Sequence, residues 1–137
     1  MKRQQNASVP CCVGTDAAVA RCPELPCGQP IDSHRDHRAC SLLVYDAWRQ
    51  LDHCFELYYF EAMTGLQTMN FAPDEYVDIT STVDLKHQAI MCHTTQEPEW
   101  MLDEWHIPME KMRGNEFQCK AAEAFVHQRW RSSEIVK

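Results

Sequence analysis

The position of its aromatic residues limits most strongly what this chain can fold into. Four Trp, four Tyr and five Phe are present, and all of them lie beyond Pro30. Residues 1–29 hold Cys11, Cys12, Cys22 and Cys27 together with Pro10, Pro23, Pro26, Gly14 and Gly28, and show no sustained helical or alternating apolar period. A segment without large apolar side chains cannot bury enough surface to offset the entropy of ordering it. The expected organisation is therefore a poorly ordered leader over 1–29 and a folded domain over 30–137. The leader cysteines are adjacent and then five apart, whereas structural zinc sites pair cysteines two to four residues apart, twice over. A zinc module there is a weak signal.

Beyond Pro30 the pattern is regular. Ser33 and Asp36 fit a capping box that opens a helix running to about Leu51, with Leu43, Ala47, Trp48 and Leu51 on one face. Phe55–Phe60 is rich in strand formers and is followed by Thr64-Gly65. A short strand is expected at Tyr76–Ile79. A second capping box, Ser81 with Asp84, predicts a helix from Thr82 to Thr95. Pro98 and Pro108 punctuate an irregular stretch with Trp100 and Trp105. After Gly114 a last helix is expected over 116–131, placing Phe117, Ala121, Ala124, Phe125 and Gln128 on one face. The fold class is α/β, with too few strands to close a doubly wound sheet alone, as if it were the second half of something larger.

Charge and hydropathy narrow the function classes. The net charge of −7 opposes a phosphate-tracking nucleic-acid binder, and Arg129 with Arg131 reads more simply as a solvated helix end. No apolar run approaches the length of a membrane span. The basic start is not followed by an apolar stretch, so no secretory signal is expected. Cys40, Cys54, Cys92 and Cys119 are scattered singly through apolar segments, which predicts buried small hydrophobes in a reducing compartment, the cytoplasm, with a disulfide framework as the weaker second reading.

The most specific local pattern is Asp32-Ser33-His34-Arg35-Asp36-His37. Two histidines three apart at a helix start face the same side. The positive end of the helix dipole there disfavours imidazolium and would help stabilise an oxyanion. An intervening aspartate can fix tautomer and orientation. A bare His-x-x-His is nonetheless common, and a catalytic zinc needs three protein ligands plus an open position.

The stretch Pro30 to Ala39 resembles the H-P-D-H-R-A segment of PIG-L/LmbE N-acetylglucosaminyl deacetylases. Tyr76-Val77-Asp78-Ile79-Thr80, followed by Lys86, Ala89, His93 and Gln96, is similar to that family's D-I-T … K-x-x-A-x-x-x-H-x-S-Q segment. Arg113-Gly114 and Ala122-Glu123-Ala124-Phe125 match its closing R-G … A-E-A-F run. The resemblance implies a three-layer Rossmann-like fold, present here as its C-terminal part without the N-terminal strands. It implies zinc-dependent removal of acetate from an N-acetylglucosamine conjugate. His37 would be a zinc ligand, His34 the charged histidine beside the oxyanion or leaving amine, and Asp36 its orienting carboxylate. Two departures qualify it. Arg35 replaces the usual proline, and no H-P-D-D motif, which supplies the other zinc ligands and the general base, precedes His34. Weak zinc binding and little or no turnover are therefore expected of this chain. The alternative is a non-catalytic remnant acting as an interaction module, with exposed strand edges favouring a homo-oligomer.

Several residues keep two readings. Lys86, Ala89, His93 and Gln96 form either a pocket wall or a polar face bonded to a neighbouring loop. Tyr58, Tyr59 and Phe60 read as sheet core before sugar platform. Met101, Met109 and Met112 with Trp100 and Trp105 either line an acceptor pocket or pack a long loop. His53, His87, His106 and His127 have no spaced partners that make a ligand set.

Overall fold

A computed structural model describes residues 24–129. The elements in chain order are β1 (Glu24–Gly28), α1 (Arg35–Gln50), β2 (Glu56–Phe60), β3 (Glu75–Asp78), α2 (Val83–Met91), α3 (Pro98–Met101), a π-helical turn (Leu102–His106), α4 (Ile107–Phe117) and β4 (Ala122–Gln128). They build a mixed α/β fold around one four-stranded sheet of order β1-β2-β4-β3. β1 and β2 are parallel, joined by α1 as a crossover. β4, the last strand, inserts antiparallel between β2 and β3.

Two expectations change here. Glu24–Gly28, on the leader side of the composition break, is a strand in register with all of β2, from Glu24↔Glu56 to Gly28↔Phe60. The pairing uses backbone groups, so the segment joins the sheet without an aromatic residue of its own. Ala122–Gln128 is likewise a strand, not the body of a helix. Its composition suits a helix, but its backbone meets Tyr58–Phe60 on one side and Glu75–Asp78 on the other, and two ladders outweigh a local preference of a few tenths of a kcal/mol per residue, roughly. Conversely, the stretch after Pro98 is helical through Phe117. Pro98 stands in the first turn of α3, and Pro108 in the first turn of α4, directly after the π-helical turn. Pro98 has no intrahelical bond to lose, whereas Pro108 lies inside the continuing helix, where the wider π-helical turn, closed by the Ile107 N–H on the Leu102 carbonyl, precedes it.

Helix ends and faces also differ in detail. His34, not Ser33, caps α1: its Nδ1 accepts the Asp36 N–H at 3.2 Å. α2 begins after Thr82, which makes no side-chain cap bond, and ends at Met91. The buried residues of α1 are Ser41 and Trp48, with Val44 and Tyr45 packed against the core, while Leu42, Leu43 and Leu51 are exposed. The core joins Trp48 to Cys27, Leu57 and Tyr59. Burial pushes the Cys27 thiol up to about 11, although the neighbouring Ser41 hydroxyl pulls the other way, so Cys27 is an inert core residue. Cys11, Cys12 and Cys22 lie outside the described residues. Of the scattered cysteines, Cys40 and Cys92 are exposed, contrary to expectation.

Gly114 is where α4 meets the chain that turns back into β4. Gln118 ends the helix in the left-handed region, φ 61°, and the Cys119 N–H returns to the Gly114 carbonyl at 2.8 Å. A Cβ on Gly114 would lie 2.8 Å from the Cys119 oxygen and 3.0 Å from the Ala121 nitrogen. In an open helix Gly→Ala gains about 1 kcal/mol. Here both obstacles are backbone, and Gly114→Ala is expected to lower stability by about 1–3 kcal/mol, as overpacking does. A thermal midpoint that rises in this variant would contradict the close approach.

Candidate functional site

A cleft of about 700 Å³ opens beside the C-terminal ends of β1 and β2, lined on one side by His34 and His37. His34 caps α1 and His37 lies in its first turn, and residues 29–34 bring that helix start back beside the ends of β1 and β2. Their rings stack with centroids 4.6 Å apart.

The carboxylate that governs them is Asp32. It is buried, with its side chain 1% exposed. Its Oδ1 accepts the His34 N–H at 2.7 Å, and its Oδ2 lies 3.2 Å from His37 Nδ1. Thr68 Oγ1, also buried, donates to Oδ2 at 3.3 Å. Burial alone would raise the Asp32 carboxyl, but the bonds from His34, His37 and Thr68 outweigh it and bring the group below the ordinary carboxylate value. The stabilisation is complete above the unfolded carboxylate pKa and is lost as pH falls through the lower folded value. Asp36, by contrast, has its side chain 79% exposed, and its Oδ2 is 4.0 Å from His34 Nδ1. His34 Nδ1 accepts a backbone N–H, which leaves the proton of the neutral ring on Nε2.

The opposite wall comes from α2, the π-helical turn, α4 and β4. Lys86 Nζ is 2.8 Å from both Glu110 Oε1 and Glu123 Oε1, and Glu110 Oε2 is 2.8 Å from His87 Nε2. Burial opposes the Lys86 ammonium, yet its bonds to Glu110 and Glu123 hold its pKa above the ordinary lysine value. Burial first and the Lys86 charge second push His106 down, so it is neutral near pH 7. Deeper in the wall, Arg113 grips Glu61 with two bonds of 2.7 Å, and both side chains are buried. Met101, Trp105 and Met109 supply apolar lining.

The structure thus brings His34 and His37 together with Lys86, Gln96, Met101, Trp105 and Met109 around one space. Trp100 and Met112 are exposed, and His93 lines a smaller adjoining hollow with Gln96. Tyr59 is core, Tyr58 stacks on His127, and Phe60 borders the cleft. Sequence reasoning missed Asp32 as the buried carboxylate and Thr68 altogether. Asp32 does carry a signal, standing two residues before the cap, where an aspartate meets free helix N–H groups. Thr68 carries none, because only tertiary pairing brings it to Asp32.

Zinc is the metal that the resemblance implies. Among the described residues no group of three or more His, Cys, Asp or Glu side chains is arranged to hold a metal ion. His37 offers one nitrogen, its Nδ1 being held by Asp32, so the described residues do not make a zinc site by themselves. Among the same residues no helix is long and apolar enough to cross a membrane. Neither a known family model nor a curated protein matches the chain.

Proposed function

We propose that the cleft is the acetamide-binding region of a hydrolase resembling the zinc-dependent PIG-L/LmbE deacetylases, which remove acetate from an N-acetylglucosamine conjugate within a Rossmann-like three-layer fold. The observation that carries this reading is the Asp32–His37 pair with His34 stacked beside it, all at the C-terminal edge of a parallel strand pair where a cleft opens. Open α/β sheets place their ligands at strand C-termini. In this reading His37 would present Nε2 to a metal, which would polarise the acetamide carbonyl, and His34 would stand beside the acetamide oxygen or the departing amine. Glu110, Glu123 and Lys86 form the polar wall, and Trp105 with the methionines forms the apolar one. The ligand count sets the level of activity. With one histidine nitrogen in place among the described residues, weak zinc binding and slow or no turnover are the expected behaviour.

The test is zinc content of the purified chain and of His37→Ala, together with binding of an N-acetylglucosaminyl conjugate followed by NMR. The expected result is sub-stoichiometric zinc that falls further in His37→Ala, and sugar-induced shifts at His34, His37 and Trp105. Absence of any response to the N-acetyl sugar would sink the reading. About one tightly held zinc would show that residues outside 24–129 complete the metal site.

A second reading, an interaction module without catalysis, is favoured by a different observation. Among the described residues β1 and β3 leave their outer edges unpaired, and Leu42, Leu43 and Leu85 are exposed by 59%, 70% and 67%. Open edges and apolar patches promote association. A monomer by light scattering at high concentration would count against it.

A further inference from the structure

We propose that Thr68 is a positioning residue that, through Asp32, keeps the neutral ring of His37 in its Nδ1–H form and so leaves the Nε2 lone pair directed outward for binding or proton transfer. The argument starts from the loop that follows β2. Residues 61–70 fold back on themselves: the Gly65 N–H reaches the Thr68 carbonyl at 3.1 Å, and the Thr68 N–H reaches the Ala62 carbonyl at 3.0 Å. Gly65 takes φ +82°, which a glycine adopts without strain.

The loop is then laced to the segment between β1 and α1. The Ser33 N–H bonds to Gln67 O at 2.9 Å, and the Met69 N–H to Ile31 O at 2.9 Å, with Asp32 and Thr68 as the bridged pair between them. Arg38 Nη1 donates to the carbonyls of Asp32 and Ser33 at 2.6 and 2.9 Å, holding the same segment from the helix side.

Within that frame the hydroxyl of Thr68 has its direction set. It accepts the Ala62 N–H at 2.7 Å, so its own proton is left for Asp32 Oδ2, 3.3 Å away. Asp32 Oδ1 is held by the His34 N–H. Both carboxylate oxygens are therefore pinned, and Oδ2 faces His37 Nδ1. A carboxylate accepts only, so the neutral imidazole must put its proton on Nδ1. Without the Thr68 anchor only the His34 N–H on Oδ1 holds the carboxylate, Oδ2 can tilt away about that bond, and the ring is free to take the Nε2–H form that imidazole favours in water. His34 is fixed the opposite way by the Asp36 N–H. The stacked pair then offers the cleft one acceptor and one donor.

This assignment does not require the hydrolase reading, and it is measured without metal or substrate. The chain is prepared with isotope-labelled histidine nitrogens. His37 is assigned by its loss in His37→Gln, and the tautomer is read from the ring nitrogen shifts at one pH well above the ordinary histidine range. Wild type is expected to show His37 as predominantly Nδ1–H and His34 as predominantly Nε2–H. Thr68→Val, close in shape and without the hydroxyl, should shift His37 to a majority of Nε2–H, and Thr68→Ser should restore the wild-type pattern. A wild-type His37 already in the Nε2–H form overturns the proposal with no variant needed. So does Thr68→Val with an unchanged tautomer. If Thr68→Val does not fold, Thr68→Cys, which keeps a weaker donor, must still move the population toward Nε2–H, and an unchanged ring in that variant overturns the proposal as well. Failure here leaves the zinc and sugar measurements above to judge the deacetylase reading on their own.

Discussion

Arg113→Ala is expected to lower the unfolding free energy by about 3–5 kcal/mol, a large share of what a domain of this size possesses. Arg113 lies between Glu61, which it grips with two bonds of 2.7 Å, and Glu116, which it meets at 2.8 Å. Its side chain is 7% exposed and that of Glu61 only 5%, so removing the cation strands a carboxylate with little access to water. Glu116 is more exposed and loses less. The guanidinium also covers Phe71, 5.4 Å from its ring centre, so packing is lost along with charge. Arg113→Lys should recover only part of the loss, because an ammonium cannot reproduce the two-pronged geometry. Urea unfolding checks both variants. A loss below about 1 kcal/mol in Arg113→Ala, the range of surface pairs, would mean that Glu61 is hydrated after all.

The second large effect is expected at Trp48. It is 2% exposed, packs on Cys27, Leu57 and Tyr59, and donates its Nε1–H to the Phe55 carbonyl at 2.9 Å. It ties α1 to both strands of the parallel pair. Trp48→Ala should cost about 3–5 kcal/mol through the cavity it leaves. Trp48→Phe keeps most of the packing and leaves the Phe55 carbonyl without its donor, for a loss of about 1–3 kcal/mol. The ratio of the two separates packing from hydrogen bonding. Equal losses would show that the bond, and not the volume, dominates. Because α1 begins at the cleft, Trp48→Ala should also loosen His34 and His37, seen as broadening of their ring signals.

The sequence by itself determined the elements whose signals are local. α1, β2 and β3 fall within a few residues of where periodicity and composition put them, and the pairing of His34 with His37 on one side follows from helical spacing alone. The tertiary structure decided whatever depends on a partner distant in the chain. Which face of α1 is buried was decided by the sheet: Leu43 and Leu51 point outward because Ser41 and Trp48 are the residues that meet β1 and β2. Ala122–Gln128 became a strand because β2 and β3 flank it, and the proline-bearing stretch from Pro98 became helical because a π-helical turn precedes Pro108. Glu24–Gly28 entered the sheet through backbone bonds that no side-chain pattern advertises. The same reason applies at the site. Asp36 is three residues or fewer from both histidines and so looked like their partner, yet it faces solvent. Asp32 took that place because residue 68, thirty-six positions on, folds back to hold it. Local spacing specifies which side a side chain leaves the backbone. Desolvation, and with it the strength of any carboxylate–imidazole contact, is set by what else the fold brings there.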